Sequence, residues 1–119
     1  TLEDIKERKI EELKTARDNA EESPVHTELG DFDFDTKARD RINGAKDVLN
    51  GTTETLEWTL ANNEVVEVGY DDLKAVTDTA AVRCNALHLK YRDLRDLVNA
   101  CTTVEQVQQI SWDIINERS

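Results

Sequence analysis

Tyr70 to Cys101 reads Y-D-D-L-K-A-V-T-D-T-A-A-V-R-C-N-A-L-H-L-K-Y-R-D-L-R-D-L-V-N-A-C. Stepping by three and four from Tyr70 meets Leu73, Thr77, Ala80, Cys84, Leu87, Tyr91, Leu94, Val98 and Cys101. Residues at those spacings share one face of an α-helix, so the stretch predicts a single long helix with an apolar seam. Asp71 and Asp72 suit its N-terminus, no Gly or Pro interrupts it, and Thr102-Thr103 offers a cap for the next helix. Roughly 30 residues at 1.5 Å each extend about 45 Å, beyond the width of a domain of this size. Shorter elements on either side are expected to cover the seam.

Immediately upstream, Leu56-Glu57-Trp58-Thr59-Leu60 and Val65-Val66-Glu67-Val68 flank Ala61-Asn62-Asn63-Glu64 and predict a β-hairpin. A two-residue loop would set Trp58 opposite Glu67. A three-residue loop over Asn62, Asn63 and Glu64 pairs Leu60 with Val66 and Trp58 with Val68, which keeps one face apolar and is the preferred register. Asp31-Phe32-Asp33-Phe34-Asp35 alternates strictly, the pattern of a short half-buried strand and a natural third member of that sheet. Between them, Ala38, Ile42, Ala45 and Leu49 recur at helix spacing, with Asp35 as N-cap and Asn50-Gly51 as the closing signal.

Thr1 to Glu22 is rich in helix formers, with Asp4 and Arg8, and Lys14 and Asp18, as opposite charges four apart. Its apolar stripe of Leu2, Ile5, Ile10, Leu13, Ala16 and Ala20 is thin. Such a helix needs cover, either from other copies as a stalk or from the rest of its own chain. Ser23-Pro24 ends it, because the residue before Pro is pushed out of the helical region. Beyond the long helix, Thr102-Thr103-Val104-Glu105-Gln106 offers a capping box, and Val104, Val107 and Ile110 give a short helix its inner face. Trp112 is expected to cap a core, and Ile114 and Ile115 need cover.

These elements predict an α+β, mainly α fold. A long central helix and shorter helices pack on a small antiparallel sheet, made of hairpin 56-68 plus strand 31-35, with a protruding N-terminal helix. The expected organisation is 1-23 as a stalk or oligomerisation helix, 24-30 as a linker and 31-119 as a compact α+β domain.

With 119 residues the chain supports one domain, and its 38% apolar and 34% charged content is most simply read as long helices with solvated faces. A net charge of −11 and a pI near 4.5 argue against nucleic acid or an anionic membrane as partner. No run approaches the ~20 apolar residues of a membrane span, and no signal segment opens the chain. Thr1 in place of Met suggests a processed or excised product. Cys84 and Cys101, about 25 Å apart along a helix, cannot bridge, so a reduced protein made inside a cell is expected.

Chemistry is thinly signalled. Asp31, Asp33 and Asp35 imitate the opening of a calcium loop, but Thr36 replaces its glycine and Ile42 its bidentate acid. Cys84 and His88 have a chelating spacing, yet zinc needs three or four ligands and only Cys101 and His26 remain to supply them. A buried Cys beside an exposed His is the expected outcome. The glycines at 30, 44, 51 and 69 are too dispersed for a phosphate loop, and Ser23, Ser111 and Ser119 lack a nucleophile-elbow context. Among 26 acids no catalytic pair stands out. Arg83 and Lys90, flanking the seam, are expected to pair with neighbouring acids. No catalytic, cofactor-binding or metal residue is assigned, and no cofactor is expected.

The order of motifs is nevertheless distinctive. G-D-F-D-F-D, a helix carrying R-I-N-G-A, then L-E-W-T-L-A-N-N-E-V-V-E-V with Y-D-D-L, and finally L-R-D-L-V-N-A-C-T-T-V-E-Q-V-Q-Q-I-S-W resembles a small domain of tailed bacteriophages and prophages. That domain recurs at the C-terminal ends of tail proteins, often described as tail-fibre or tail-fibre-assembly related. The resemblance runs from about Leu29 to Trp112. It implies a non-enzymatic structural or interaction module of the virion tail, made in the host bacterial cytoplasm. Implied partners are other tail proteins and further copies of the chain, a trimer among the arrangements. A tail-fibre assembly chaperone left out of the finished virion is the alternative, and a metal-dependent enzyme the third.

Overall fold

The computed structural model describes residues 1 to 113; Ile114 and Ile115 lie outside the described residues. Its elements run α1 (Leu2–Glu21), β1 (Val25–Thr27), β2 (Gly30–Phe32), α2 (Thr36–Leu49), β3 (Leu56–Thr59), β4 (Val65–Val68), α3 (Tyr70–Ala100) and α4 (Val104–Gln108). The class is as expected: mostly helical, with one long helix and small antiparallel hairpins. None of the described helices is long and apolar enough to cross a membrane. The chain groups into two compact units, Glu21–Cys84 and, separately, Thr1–Ala20 together with the chain from Asn85 on.

The contiguous unit holds both hairpins. Val25 to Gly30, expected as a linker, instead carries β1 and the start of β2, paired Val25 to Phe32, His26 to Asp31 and Thr27 to Gly30. Val25 and Phe32 are both fully buried, which anchors a strand too short to announce itself. Gly30 closes the turn at φ 130°, and a Cβ there would sit 2.9 Å from Leu60 Cδ1, so only glycine fits. The expected strand 31-35 is therefore cut to Gly30–Phe32, and it pairs with β1 rather than with the β3–β4 ladder. Among the described residues its one backbone hydrogen bond to the second hairpin is the Ala61 N–H donating to Asp31 O at 2.9 Å. Phe34 leaves the strand yet stays buried.

The second hairpin forms at the expected place, in a shifted register. Its loop is Ala61 to Asn63, so Trp58 faces Val66 and Leu56 faces Val68. Asn63 adopts φ 71°, its N–H donates to Leu60 O at 2.9 Å, and the Asn62 side chain accepts from Glu64 N–H at 3.0 Å. Asn tolerates the left-handed conformation that a three-residue loop requires at its last position, and that places the loop one residue earlier than expected. The shift is by two in the pairing, so the apolar face is preserved.

Helix α2 begins at Asp35, whose carboxylate accepts from Ala38 N–H at 2.9 Å, and ends at Asn50 with Gly51 at φ 78°. Ile42 and Leu49 are its buried residues. In α3, Asp72 reaches back to accept from Gly69 N–H at 2.9 Å. Leu73, Val76 and Ala80 from α3 then join Val25, Phe32, Phe34, Ile42, Leu49, Leu60 and Val68 in the core of this unit.

In the other unit, Leu13 of α1 meets Tyr91, Leu94 and Val98 of α3 and Val107 and Ile110, with Leu2, Ile5 and Ile10 half-buried beside them. Of the two readings open for residues 1-22, cover from the same chain is what the fold displays. The Lys6 ammonium also donates to Asn99 O at 3.1 Å. Helix α4 starts with a reciprocal cap: Thr103 Oγ1 accepts from Gln106 N–H at 3.2 Å, and Gln106 Oε1 accepts from Thr103 N–H at 3.3 Å.

Candidate functional site

Along α3 the buried residues are Leu73, Val76, Ala80, Tyr91, Leu94 and Val98; Tyr70, Thr77, Cys84 and Leu87 of the seam are half-buried. Apolar residues also stand among the polar ones on the opposite face. Ala75, Val82 and Leu89 stand seven apart, with Ala86 between, all four exposed; Val82 is 73% and Leu89 42% accessible. Residues seven apart return to nearly the same azimuth, so within the contiguous unit Ala75 and Val82 face solvent together. The spacing was legible in the sequence, but the stronger seam on the other side masks it.

Arg83 is the most heavily bonded side chain of the contiguous unit. Its guanidinium donates to Glu21 O at 2.9 Å, Ser23 O at 2.9 Å, Pro24 O at 2.9 Å and Ser23 Oγ at 3.1 Å, and its Cζ lies 5.9 Å from the Phe34 ring centre. Helix α1 has no basic residue in its last turn, so Arg83 supplies the positive charge its terminal carbonyls favour. The expected partners were acidic side chains; these four hydrogen bonds go instead to main-chain carbonyls and a hydroxyl. A planar five-donor fork suits several carbonyls converging on one point, which an ammonium cannot match.

Cys84 is half-buried and its thiol donates to Glu21 Oε1 at 3.6 Å, while His88 is exposed one turn further on. Cys101 donates to Leu97 O at 3.2 Å, the usual recourse of a thiol at a helix end, and both cysteines are free thiols. The three Asp that imitate a calcium loop go to separate tasks. Asp31 Oδ1 lies 2.6 Å from His26 Nδ1 across the β1–β2 pair, Asp35 caps α2, and Asp33 borders a shallow depression with Arg41, Glu57 and the half-buried Trp58.

Cations stack on aromatic rings in the unit that contains α4. Arg17 and Arg95 lie 4.7 and 5.8 Å from the Tyr91 ring centre, and Lys90 Nζ lies 4.2 Å from that of Trp112. Trp112 thus packs against this core as expected, and Lys90 covers it instead of bonding an acid. Burial pushes the Lys90 pKa below the usual lysine value, with the Asp113 carboxylate pulling the other way. In the contiguous unit the exposed Lys74 behaves oppositely: its hydrogen bond to Asp78 at 2.7 Å raises its pKa.

What this arrangement offers chemically is surface. Large apolar side chains held in solvent on an acid-rich exterior suit recognition of another protein. A protein-family model described as "Domain of unknown function (DUF4376)" matches residues 4–116. No curated protein and no solved structure matches the chain.

Proposed function

The chain belongs to the DUF4376 family, and from that footing we propose that it is a non-enzymatic structural and interaction module of a bacteriophage tail, associated with the tail fibre or baseplate. The observation that carries the protein-binding part lies in residues 21–84, where Val48, Val65 and Val82 stand 73%, 59% and 73% exposed beside a core that other side chains already close. A single exposed valine is unremarkable on a surface; three of them held in solvent by one small unit favour a protein partner. The tail context is supported by the motif order from Gly30 to Phe34, through the Trp58 hairpin, to Ser111-Trp112.

Peptide mass mapping of purified tailed particles tests it, with the expected outcome that peptides of this chain appear in fixed proportion to tail proteins. Their absence from particles and presence in tail-fibre precursor complexes would instead make the chain an assembly chaperone, a role the same exposed valines would serve. Absence from both overturns the tail reading.

A further inference from the structure

We propose that the outer edge of β4 docks an extended segment of a basic partner protein; this rests on the reading of the chain as an interaction module and names the surface and the chemistry of the contact. Leu60 N–H donates to Glu64 O at 2.8 Å, which fixes the phase of the ladder. Bonded and non-bonded pairs alternate along antiparallel strands, so Val66 and Val68 bond across to Trp58 and Leu56. Val65 and Glu67 accordingly turn their N–H and C=O groups away from β3. Among the described residues no backbone group meets them. The far edge of β3 differs, because the Asp31 carbonyl already accepts from Ala61 N–H there.

Free edges are usually blunted by Lys, Pro or a bulge, whereas β4 reads Val-Val-Glu-Val. Its side-chain chemistry specifies the occupant. Glu67 stands directly opposite Glu57, both exposed, and neither carboxylate has a hydrogen bond or ion pair among the described residues. Like charges in direct opposition weaken a hairpin, and a Lys or Arg on the same face of an added strand would neutralise them. Beside Glu67, Val65 is 59% exposed and offers the apolar half of the contact. A second copy brings the same −11 charge to the edge and is repelled, so the strand comes from a different protein and alternates apolar with basic residues.

The test titrates the full chain, followed by amide NMR and hydrogen exchange, with an octapeptide of alternating valine and lysine and a control of alternating valine and glutamate. The expected result is shifts and new protection centred on the Val65 and Glu67 amides with the lysine peptide alone. The E57Q/E67Q double variant keeps the hairpin, because it removes a repulsion, and binds about tenfold more weakly. Shifts spread over the acidic face of α1, an equal loss in an E3Q/E7Q control, or no binding would overturn the proposal. A lysine peptide that fails to bind β4 while the chain still co-purifies with tail particles removes the edge and leaves the module reading intact; binding at β4 by a chain absent from tails does the reverse.

Discussion

The two compact units reach a closed core by different routes. In residues 21–84 ten buried side chains come from one uninterrupted stretch, with both phenylalanines of the chain among them. The unit of residues 1–20 and 85 onward draws six, among the described residues, from segments that are distant in sequence, and adds cations laid over Tyr91 and Trp112. A core of large aromatic and aliphatic residues tolerates a wet, charged exterior. A thin one is completed by the alkyl stems and charges of Arg and Lys stacked on rings, worth about 0.5–2 kcal/mol each. The lesson is that the narrow stripe of α1 suffices because its partners bring aromatic surface.

Truncating Phe32 to Ala should give the largest effect, about 3–5 kcal/mol in urea unfolding, since the ring is fully buried. That is a large fraction of the stability of a domain this size. Leu13→Ala, at 2% exposure, should cost about 2–5 kcal/mol. Its faster amide exchange should be confined to residues 2–20 and 85–113; equal loss across 21–84 would erase the distinction between the units. Arg83→Ala should follow at about 1.5–3 kcal/mol, the range for hydrogen bonds from a charged donor, with Arg83→Lys recovering only part because it lacks the fork.

The smallest effects sharpen the comparison through pH. Lys90 is deprotonated more readily folded than unfolded, so between its lowered value and about 10.5 the unfolded chain holds more protons and stability rises with pH. Lys74 has a raised value, so its contribution is complete below about 10.5 and fades as pH climbs through the folded value. Subtracting the unfolding curves of Lys90→Met and Lys74→Met from that of the parent between pH 7 and 11 should give slopes of opposite sign.

Elements with strong local signals were legible from residues alone. Asp35, the Ile42–Leu49 spacing and Asn50-Gly51 bounded α2 within a residue, and the Tyr70 seam gave α3. The hairpin yielded its apolar face but not its register, because a period of two fixes the face while only the left-handed Asn63 fixes the loop. β1 escaped notice, since three residues are too few to show alternation and its identity lies in Val25 meeting Phe32. The Arg83 contacts were invisible for another reason: three of their four acceptors are main-chain atoms some sixty residues away, and a carbonyl leaves no trace in residue type.

The split construction also sets an order of events on the ribosome. The segment carrying Leu13 is made before residues 21–84, whereas Tyr91, Leu94 and Val98 are made only after them, roughly 3–13 s later at about 5–20 residues per second. For that interval the nascent leading helix waits without its mates, and its dense alternation of Glu, Lys and Arg keeps it dissolved rather than sticky. Residues 21–84 can therefore close their core before the one around Leu13, whose earliest-made member waits longest for its partners.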